Sequence, residues 1–478
     1  MIIVSKTMSE QNGWRTDRLL RFIGDRPAPG NLLFRCRTQT LSLVIAMSSA
    51  TCSPGLQAQS TGLDQGTNLR TVYEQARDYD AEYQAAQFEL EAARKSVPLA
   101  RSAFLPQLSF GAEAGLTTLA DDGEGPYEET ALSLTLNQTL FNRSNGKLLD
   151  QAKISVLQAE AQYAAVGQTL ILRVATAYFD VLRAQANVEF SQSELQAISR
   201  QREQAERRFD VGLVPITDVR SAQAQYDLAI AQEIAASNQL FTAREALLRV
   251  SGVDAELLTP LASDLPLNTP DPADIDAWVT RAKEQNLELL IAHLATESSS
   301  TQIAIERANR LPTLDIQGSA LSTTSEGFSG DRDVADIKLQ LSVPIITGGR
   351  VNAQVAQAKS QALASEQQLL AQERTTTQQT RDAYRGVRAS ISRVRALRQA
   401  LVSTQQSADA TDAGFRAGTR TSVDVLQALR DTFSAKSDYA GARYDYIINT
   451  LNLRAASGIL SEDDLYAINR SLAFSETK

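Results

Sequence analysis

Four short segments of the chain alternate apolar and polar residues with a period of two. The first two lie in residues 108–117 and 131–141, and two later ones lie in residues 314–320 and 337–343. Each is roughly 8–12 residues long, the length of a tilted strand that crosses a bilayer, with one apolar and one polar face. The alternation alone fits a soluble antiparallel sheet with one wet face equally well.

Two long stretches contain no proline, from about Asn145 to Phe209 and from about Val351 to Phe415. Each predicts a helix of roughly 65 residues, about 100 Å long. Their composition is rich in Ala, Gln, Ser, Glu and Arg with few large apolar residues, which favours helices packed side by side with a polar face toward water. These helices favour the membrane interpretation of the strands.

The second half of the chain repeats the first at an offset of 206 residues. The Leu-Pro pair at 105–106 returns at 311–312, and the Phe-x-x-Gly motif at 209–212 returns at 415–418. A period this long indicates a duplicated domain-sized unit rather than a solenoid. Four strands cannot close a barrel, and open sheet edges are not tolerated in lipid, so we expect several copies to assemble. Three copies would give twelve strands.

The start of the chain predicts a leader. Arg35 and Arg37 precede an apolar run at 41–47, and small residues follow, which is typical of a secretory signal peptide cleaved near Ala50 or Ala58. The residues before Cys52 make a poor lipid-attachment signal. Beyond residue 58 there is no Cys, and no run of 18 apolar residues that predicts a transmembrane helix.

The net charge of -9 and a pI near 5 argue against nucleic acid as a partner. The sequence contains no serine–histidine–acid set and no metal-ligand pattern. The lone His293 lies on a predicted helix, where a packed or solvated histidine is expected. The sequence therefore predicts no enzymatic activity, no metal and no cofactor.

Three segments carry a resemblance to the TolC family of outer-membrane efflux channels, also called outer membrane factors. Residues 414–460 are similar to the family's last long helical hairpin, and residues 175–182 and 209–227 to its first. The resemblance covers essentially all of residues 68–475. It implies an α+β membrane protein with a duplicated strand–strand–long helix–long helix unit. It also implies a homotrimer, with a 12-stranded transmembrane β-barrel continued by a long periplasmic α-helical barrel and an equatorial belt.

The resemblance divides the chain into eight expected segments. They are a leader at 1–58, an N-terminal equatorial segment with the first barrel helix at 59–104, β-hairpin 1 at 105–142, a periplasmic long-helix hairpin at 143–251, an equatorial linker with a barrel helix at 252–310, β-hairpin 2 at 311–347, a second long-helix hairpin at 348–458, and a C-terminal equatorial segment with the tail at 459–478.

The implied function is a passive exit duct in outer-membrane lipid for tripartite efflux pumps or type I secretion. A periplasmic adaptor and an inner-membrane transporter of RND, ABC or MFS type would open it at its periplasmic tip. Two alternatives stay open on the sequence, a periplasmic coiled-coil adaptor and a soluble scaffold. An adaptor would carry a lipoyl-like or barrel domain between its hairpins and no lipid-facing strands.

The Phe-x-x-Gly motifs predict helix ends with a left-handed glycine. Thr217 and Asp218 are expected to open one following helix, and Ser422 and Asp424 the other, with side-chain oxygens on the first amides. Plain helix capping would account for all four residues.

The resemblance further implies a gate at these tips. Arg420 is expected to bond Thr217 and Asp218 of a neighbouring hairpin, with Gln201 as a further polar partner. Asp424 would form the entrance ring. Two positions depart from the family, because Phe415 stands in place of a tyrosine and Gln427 in place of a second ring aspartate. We therefore expect a looser closed state and a mouth that attracts cations less. The adaptor-docking tips are expected at Gly212, Leu213, Val214, Gly418 and Thr419.

Overall fold

The computed structural model describes residues 67–117, 127–254, 256, 258–262, 264–325, 331–470 and 472. All of these residues belong to one compact unit, Gly62–Lys478. The predicted leader, both cleavage positions and Cys52 lie outside the described residues.

The described residues form nine helices and four strands, and the order repeats the duplicated unit. In chain order these are α1 Leu69–Tyr79, α2 Ala81–Ser102, β1 Gln107–Thr117, β2 Tyr127–Phe141, α3 Arg143–Asp210, α4 Ile216–Ser251, α5 Ile275–Gln285, α6 Leu287–Ala308, β3 Thr313–Ser325, β4 Arg332–Ser342, α7 Arg350–Arg416, α8 Ser422–Ala456 and α9 Glu462–Asn469.

The four strands form one antiparallel sheet in the order β1-β2-β3-β4. Its register places apolar residues opposite one another: Phe110 faces Leu134, and Leu134 faces Ala320. Ile316 faces Leu339 in the same way. Because successive side chains of a strand point to opposite faces, one face of the sheet is apolar across all four strands.

This apolar face is open to its surroundings. Phe110 is 71% exposed, Leu339 is 64% exposed and Ile337 is 82% exposed. The opposite face carries Ser109 paired with Thr135, as the alternation predicts. A sheet with a bare apolar face and a polar face suits a lipid boundary on one side and water on the other.

Two helical hairpins carry most of the chain. Hairpin 1 consists of α3, with 68 residues, and α4, with 36. Hairpin 2 consists of α7, with 67 residues, and α8, with 35. At 1.5 Å per residue, α3 and α7 are each about 100 Å long. Helix α4 packs along about half the length of α3, and α8 packs along about half the length of α7. Helices α2 and α6 pack against α3 nearer the sheet.

The main hydrophobic core lies about halfway along the long helices, where the short helices α1, α5 and α9 pack. Tyr178 and Phe179 of α3 meet edge to face at its centre, with ring centroids 5.5 Å apart. The Tyr178 hydroxyl donates to the carbonyl of Thr259 at 2.8 Å, and burial raises the pKa of Tyr178. This core occupies the place expected for the equatorial belt.

One helix differs from the sequence expectation. Helix α3 contains an 18-residue window with a mean hydropathy of 1.2, which is long and apolar enough for a membrane span by composition. Leu170, Val174 and Tyr178 of this helix are fully buried in the core. The hydropathy of α3 is therefore explained by a core helix, and simple counting of uninterrupted apolar residues missed it because polar residues are interspersed.

Candidate functional site

Both long helices end at the tips with the same glycine cap. Gly212 and Gly418 have φ angles of 76° and 78°, which is the left-handed region. The amide of Leu213 donates to the carbonyl of Arg208, and the amide of Thr419 to the carbonyl of Gly414, each at 2.8 Å. These bonds satisfy carbonyls that the helix end leaves open and turn the chain sharply.

The helices that follow begin differently from the sequence expectation. Pro215 is the N-cap of α4 and supplies no side-chain bond, so Thr217 and Asp218 lie inside the first turn rather than capping it. Thr421, not Ser422, caps α8. The Thr421 hydroxyl accepts from the amide of Asp424 at 3.2 Å, and the Asp424 carboxylate accepts from the amide of Thr421 at 2.9 Å.

Asp218 and Ser422 join the two hairpins at their tips. The Ser422 hydroxyl donates to a carboxylate oxygen of Asp218 at 3.2 Å. Ser422 is 1% exposed, whereas Asp218 is half-buried. A bond from a hydroxyl to a carboxylate is charge-assisted, and it is stronger where water is excluded.

Phe415 also lies at this junction. Its ring is 5% exposed, and the guanidinium carbon of Arg208 lies 4.5 Å from the ring centroid. A guanidinium at this distance is attracted by the electron-rich face of an aromatic ring. Phe415 lacks the hydroxyl of the family's tyrosine, and the structure places a cation against its ring.

Arg420 lies in the turn between α7 and α8. Its aliphatic stem passes over Gly414, where an added Cβ would lie 2.8 Å from the Arg420 Cγ. Among the described residues of this one chain, Arg420 forms no hydrogen bond or ion pair with Thr217 or Asp218. The expected bonds reach to a neighbouring hairpin, and the Arg420 latch stays a prediction.

Gln201 lies about two and a half turns before the end of α3 at Asp210, buried beside Ile198 and Ala205. Its Nε2 has no hydrogen-bond partner among the described residues. These neighbours belong to a second, smaller core in which Leu426 of α8 packs against α3 and α4. The small core aligns the two hairpins just before their ends.

The helix cap favours the charged form of Asp424, the residue expected at the entrance. The Thr421 amide holds the pKa of the Asp424 carboxyl below its usual value, and the nearby Arg420 charge acts in the same direction. Gln427, one turn later, donates from its Nε2 to Asp431 at 2.8 Å. The second ring position is therefore a neutral amide that is already bonded within its own helix.

The expected docking residues form the outer surface of the two tips. Leu213 is 70% exposed, and Gly212, Gly418 and Thr419 are exposed as well, while Val214 is half-buried. An added Cβ at Gly212 or Gly418 would meet open space. Among the residues that the structure describes, none covers the ends of the hairpins.

Sequence reasoning missed Arg208, Gly414 and Thr421 at this site and gave Ser422 a different role. Arg208 resembles an ordinary basic residue at a helix C-terminus, and Gly414 an ordinary helical position. Ser422 was expected to cap α8, but instead it binds Asp218. The Thr-x-x-Asp spacing of 421–424 is a capping-box pattern and could have identified Thr421.

A sheet with one face for lipid and one for water, continued by helices about 100 Å long, defines a membrane-anchored conduit. The model of the outer membrane efflux protein family matches residues 72–253 and 278–459. The chain belongs to this family, and the resemblance carried by the hairpin motifs is confirmed.

Individual relatives agree with this assignment. The chain is 39% identical over 428 residues to the outer membrane protein TolC of Escherichia coli strain K12, with 86% of each chain covered. It is 29% identical over 419 residues to the alkaline protease secretion protein AprF of Pseudomonas aeruginosa, covering 85% of this chain and 87% of AprF. The structure of the CmeC outer membrane channel of Campylobacter jejuni matches with a TM-score of 0.71 at 15% identity, covering 91% of this chain and 99% of that one.

The protein is thus an outer-membrane exit channel with a periplasmic extension. The relatives named above are channel and secretion proteins rather than enzymes. A periplasmic adaptor or scaffold is not favoured, because a sheet with this exposed apolar face would be unfavourable in water.

Proposed function

We propose that the chain assembles as a homotrimer whose three sheets close into a 12-stranded barrel. The observation that carries this proposal is the single open sheet with its exposed apolar face. Strands β1 and β4 are both edge strands, and their free backbone groups need partners in lipid. Joining β4 of one copy to β1 of the next satisfies both edges, and a third copy closes the ring.

The barrel and the helices below it form one passive duct from the periplasm to the outside. It serves as the shared exit of a tripartite efflux pump or of a type I secretion system. The efflux role is supported by the family match, and the secretion role by the likeness to AprF, a protease secretion protein. No step in this function requires a cofactor.

A periplasmic adaptor and an inner-membrane transporter of RND, ABC or MFS type complete the machine. The adaptor docks on the tips formed by Gly212, Leu213, Val214, Gly418 and Thr419. The exposed Leu213 supports this placement, since a large apolar side chain at a helix turn is available to a partner. The transporter delivers cargo to the duct once the tips have separated.

The docking proposal is tested by placing a bulky charge at the tips. Gly212→Glu and Gly418→Glu should abolish export while the folded trimer and its bilayer conductance persist. The left-handed φ at both positions costs about 1–2 kcal/mol, and the added side chains point into open space. Export is measured as drug susceptibility of a deletion strain that carries each variant. A matched control is Gly441→Glu, in the middle of α8, where an added Cβ also meets open space.

Two results would contradict the docking proposal. Loss of the folded trimer in the Gly212 and Gly418 variants would mean that the glycines serve the helix caps alone. Equal loss of export in the Gly441 control would mean that any charge on the helices disturbs the channel. The assembly itself is tested by cell fractionation. The wild-type trimer should be recovered only from detergent extracts of the outer membrane.

A further inference from the structure

A cavity of about 490 Å³ lies between the linker that follows α4 and helices α5, α7, α8 and α9. We call it the belt cavity, and its lining includes Leu265, Trp278, Tyr446, Leu451 and Ile468. Small-molecule sites in proteins commonly measure about 300–1,000 Å³. The belt cavity is therefore large enough for one small organic ligand, and it lies away from both the tips and the sheet.

The most buried part of this lining is apolar and held in place. Leu451 is 1% exposed and Trp278 is 3% exposed. The Trp278 Nε1 donates to the carbonyl of Pro272 at 2.8 Å, and the Tyr446 hydroxyl donates to the carbonyl of Asn268 at 3.1 Å. Because these polar atoms already have partners within the protein, they are not available to a ligand. A ligand here must be apolar, and the indole ring favours an aromatic one.

The rim of the belt cavity is polar. Asn268 and Thr269 line it and are exposed, and neither side chain has a hydrogen-bond partner among the described residues. An apolar interior with a few polar groups at defined positions is the usual composition of a small-molecule site. A ligand with one polar end would therefore place that end at the rim.

The charges of the lining decide the sign of that polar end. Asp271, Arg454 and Asp464 are the charged residues of the described lining, and the Arg454 Nε lies 2.7 Å from the Asp464 carboxylate. Asp271 is exposed and has no ion pair among the described residues. Arg281, whose guanidinium carbon lies 5.2 Å from the Trp278 ring centroid, is not part of the lining. The described lining therefore carries a net negative charge, which favours a cation over an anion.

We propose that the belt cavity binds one amphipathic aromatic cation, a molecule with a planar apolar body and an amine at one end. The body lies against Trp278, and the amine lies at the rim near Asp271. The bound molecule contacts the linker, α5, α8 and α9 together, so its binding stabilises the folded belt. The site is distinct from the duct and does not depend on the proposed export function.

Trp278 makes this site directly observable. The chain has two tryptophans, Trp14 in the predicted leader and Trp278. In the Trp14→Phe protein, assembled in lipid nanodiscs, energy transfer from Trp278 to dansylcadaverine should rise with concentration and saturate. Dansylglycine carries the same fluorophore with a carboxylate in place of the amine, and it should bind about fivefold more weakly because Asp271 repels it.

Probe dissolved in the nanodisc lipid does not reproduce this signal. Asp276 of α5 forms an ion pair with Arg381 at 3.2 Å. Arg381 lies about 45 Å along α7 from Arg350, where the helix leaves the sheet. Energy transfer falls steeply with distance, so Trp278 reports on probe in the belt and not on probe among the lipids.

Two substitutions test the position of the ligand, each with a matched control. Ala467 is an exposed residue of the lining, so Ala467→Phe should fill the rim and abolish the saturable transfer. Ala273→Phe makes the same change at an exposed residue outside the lining and should leave binding intact. Asp271→Asn should weaken the binding of dansylcadaverine by about two- to fivefold, the range of an exposed ion pair. Asp264→Asn, in the same linker but outside the lining, should not.

Several results would overturn the site. Transfer that does not saturate, or that persists in Ala467→Phe, would show that the probe binds elsewhere. Equal affinity for the two dansyl compounds would contradict the choice of a cation. Binding that appears only after residues 473–478 are removed would mean that the chain's own C-terminal segment fills the cavity. A protein that conducts in bilayers without saturable transfer would reject the site and leave the proposed function intact, whereas a folded trimer that binds the probe but forms no channel would reject only the proposed function.

Discussion

Single residues at the tips combine structural and functional roles. Asp424 is the clearest case, because its carboxylate closes the capping box of α8 and is also the predicted ring charge at the entrance. Its pKa is lowered chiefly by the Thr421 amide. A lowered pKa means that the stabilising bond is fully present above the ordinary carboxyl value and is lost as the pH falls through the folded-state value.

The two roles of Asp424 can be separated by substitution. Asp424→Asn removes the charge but keeps an oxygen that accepts from the Thr421 amide, whereas Asp424→Ala removes both. We expect both variants to lose most of the block of current by multivalent cations added on the periplasmic side. Asp424→Ala should lower the thermal stability of the folded protein more than Asp424→Asn does. In the wild type the block should persist until the pH falls below about 4, the ordinary range of an aspartate.

The account of the ring would be wrong if Asp424→Asn retained the full cation block. A block that disappeared near neutral pH would also contradict it, since the carboxyl would then titrate above its ordinary range. Gln427 supplies no charge that could replace Asp424.

At the scale of elements, glycines at helix ends act through backbone conformation and through close packing. Gly418 and Gly458 both adopt left-handed φ angles, of 78° and 75°. An added Cβ at Gly418 would meet nothing, but at Gly458 it would lie 2.1 Å from the carbonyl oxygen of Gln285. The C-terminal turn of α8 therefore packs directly on the backbone that precedes α6.

This difference predicts two distinct costs for the same substitution. Gly418→Ala should destabilise the trimer by about 1–2 kcal/mol through its backbone conformation. Gly458→Ala should cost about 1–3 kcal/mol more, because a backbone atom must move. Thermal unfolding of the detergent-solubilised trimer measures both. Equal midpoints for the two variants would mean that the contact with Gln285 carries no energy.

The strands give a prediction about which side faces lipid. Leu134 and Leu339 lie on the apolar face, and Arg at either position should cost about 2–4 kcal/mol near the midplane and lower barrel assembly. Thr135 and Gln340 are the adjacent residues on the polar face, so Arg there should be tolerated. Heat-resistant trimer in outer-membrane fractions is the measurement. Equal tolerance at all four positions would refute the assignment of the faces.

The elements differ in how far the sequence predicts them. Helix α3 runs from Arg143 to Asp210, within two residues of the expected Asn145 to Phe209 at each end. A long proline-free stretch of this composition leaves few alternatives to a helix. Strands β2 and β3 extend further toward their loops than the alternation indicated. There Glu129 pairs with Ser325 across the sheet, and such pairing depends on a partner about two hundred residues away. The contact of Arg208 with Phe415 depends in the same way on the packing of two hairpins.

At the scale of the whole molecule, one chain is an incomplete wall. Its sheet has two open edges, and its long helices have thin apolar stripes. Its main core fills only the middle of the helices. A partly buried ion pair lies in this middle, where the buried Asp80 accepts a bond from the half-buried Arg173 of α3 at 2.8 Å. Barrel closure and tip closure then depend on the proposed trimer, in which Arg420 is expected to reach Thr217 and Asp218 of a neighbouring hairpin.

The most direct test of an outer-membrane channel closed at its tips is conductance of the purified trimer in planar bilayers. The wild type should give discrete channels of low conductance. Arg420→Ser should raise the conductance, since a charge-assisted bond shifts the closed-to-open ratio by roughly tenfold. Asp218→Ala should act similarly and not add to it. A folded trimer that gives no discrete channels, with or without these substitutions, would contradict the account.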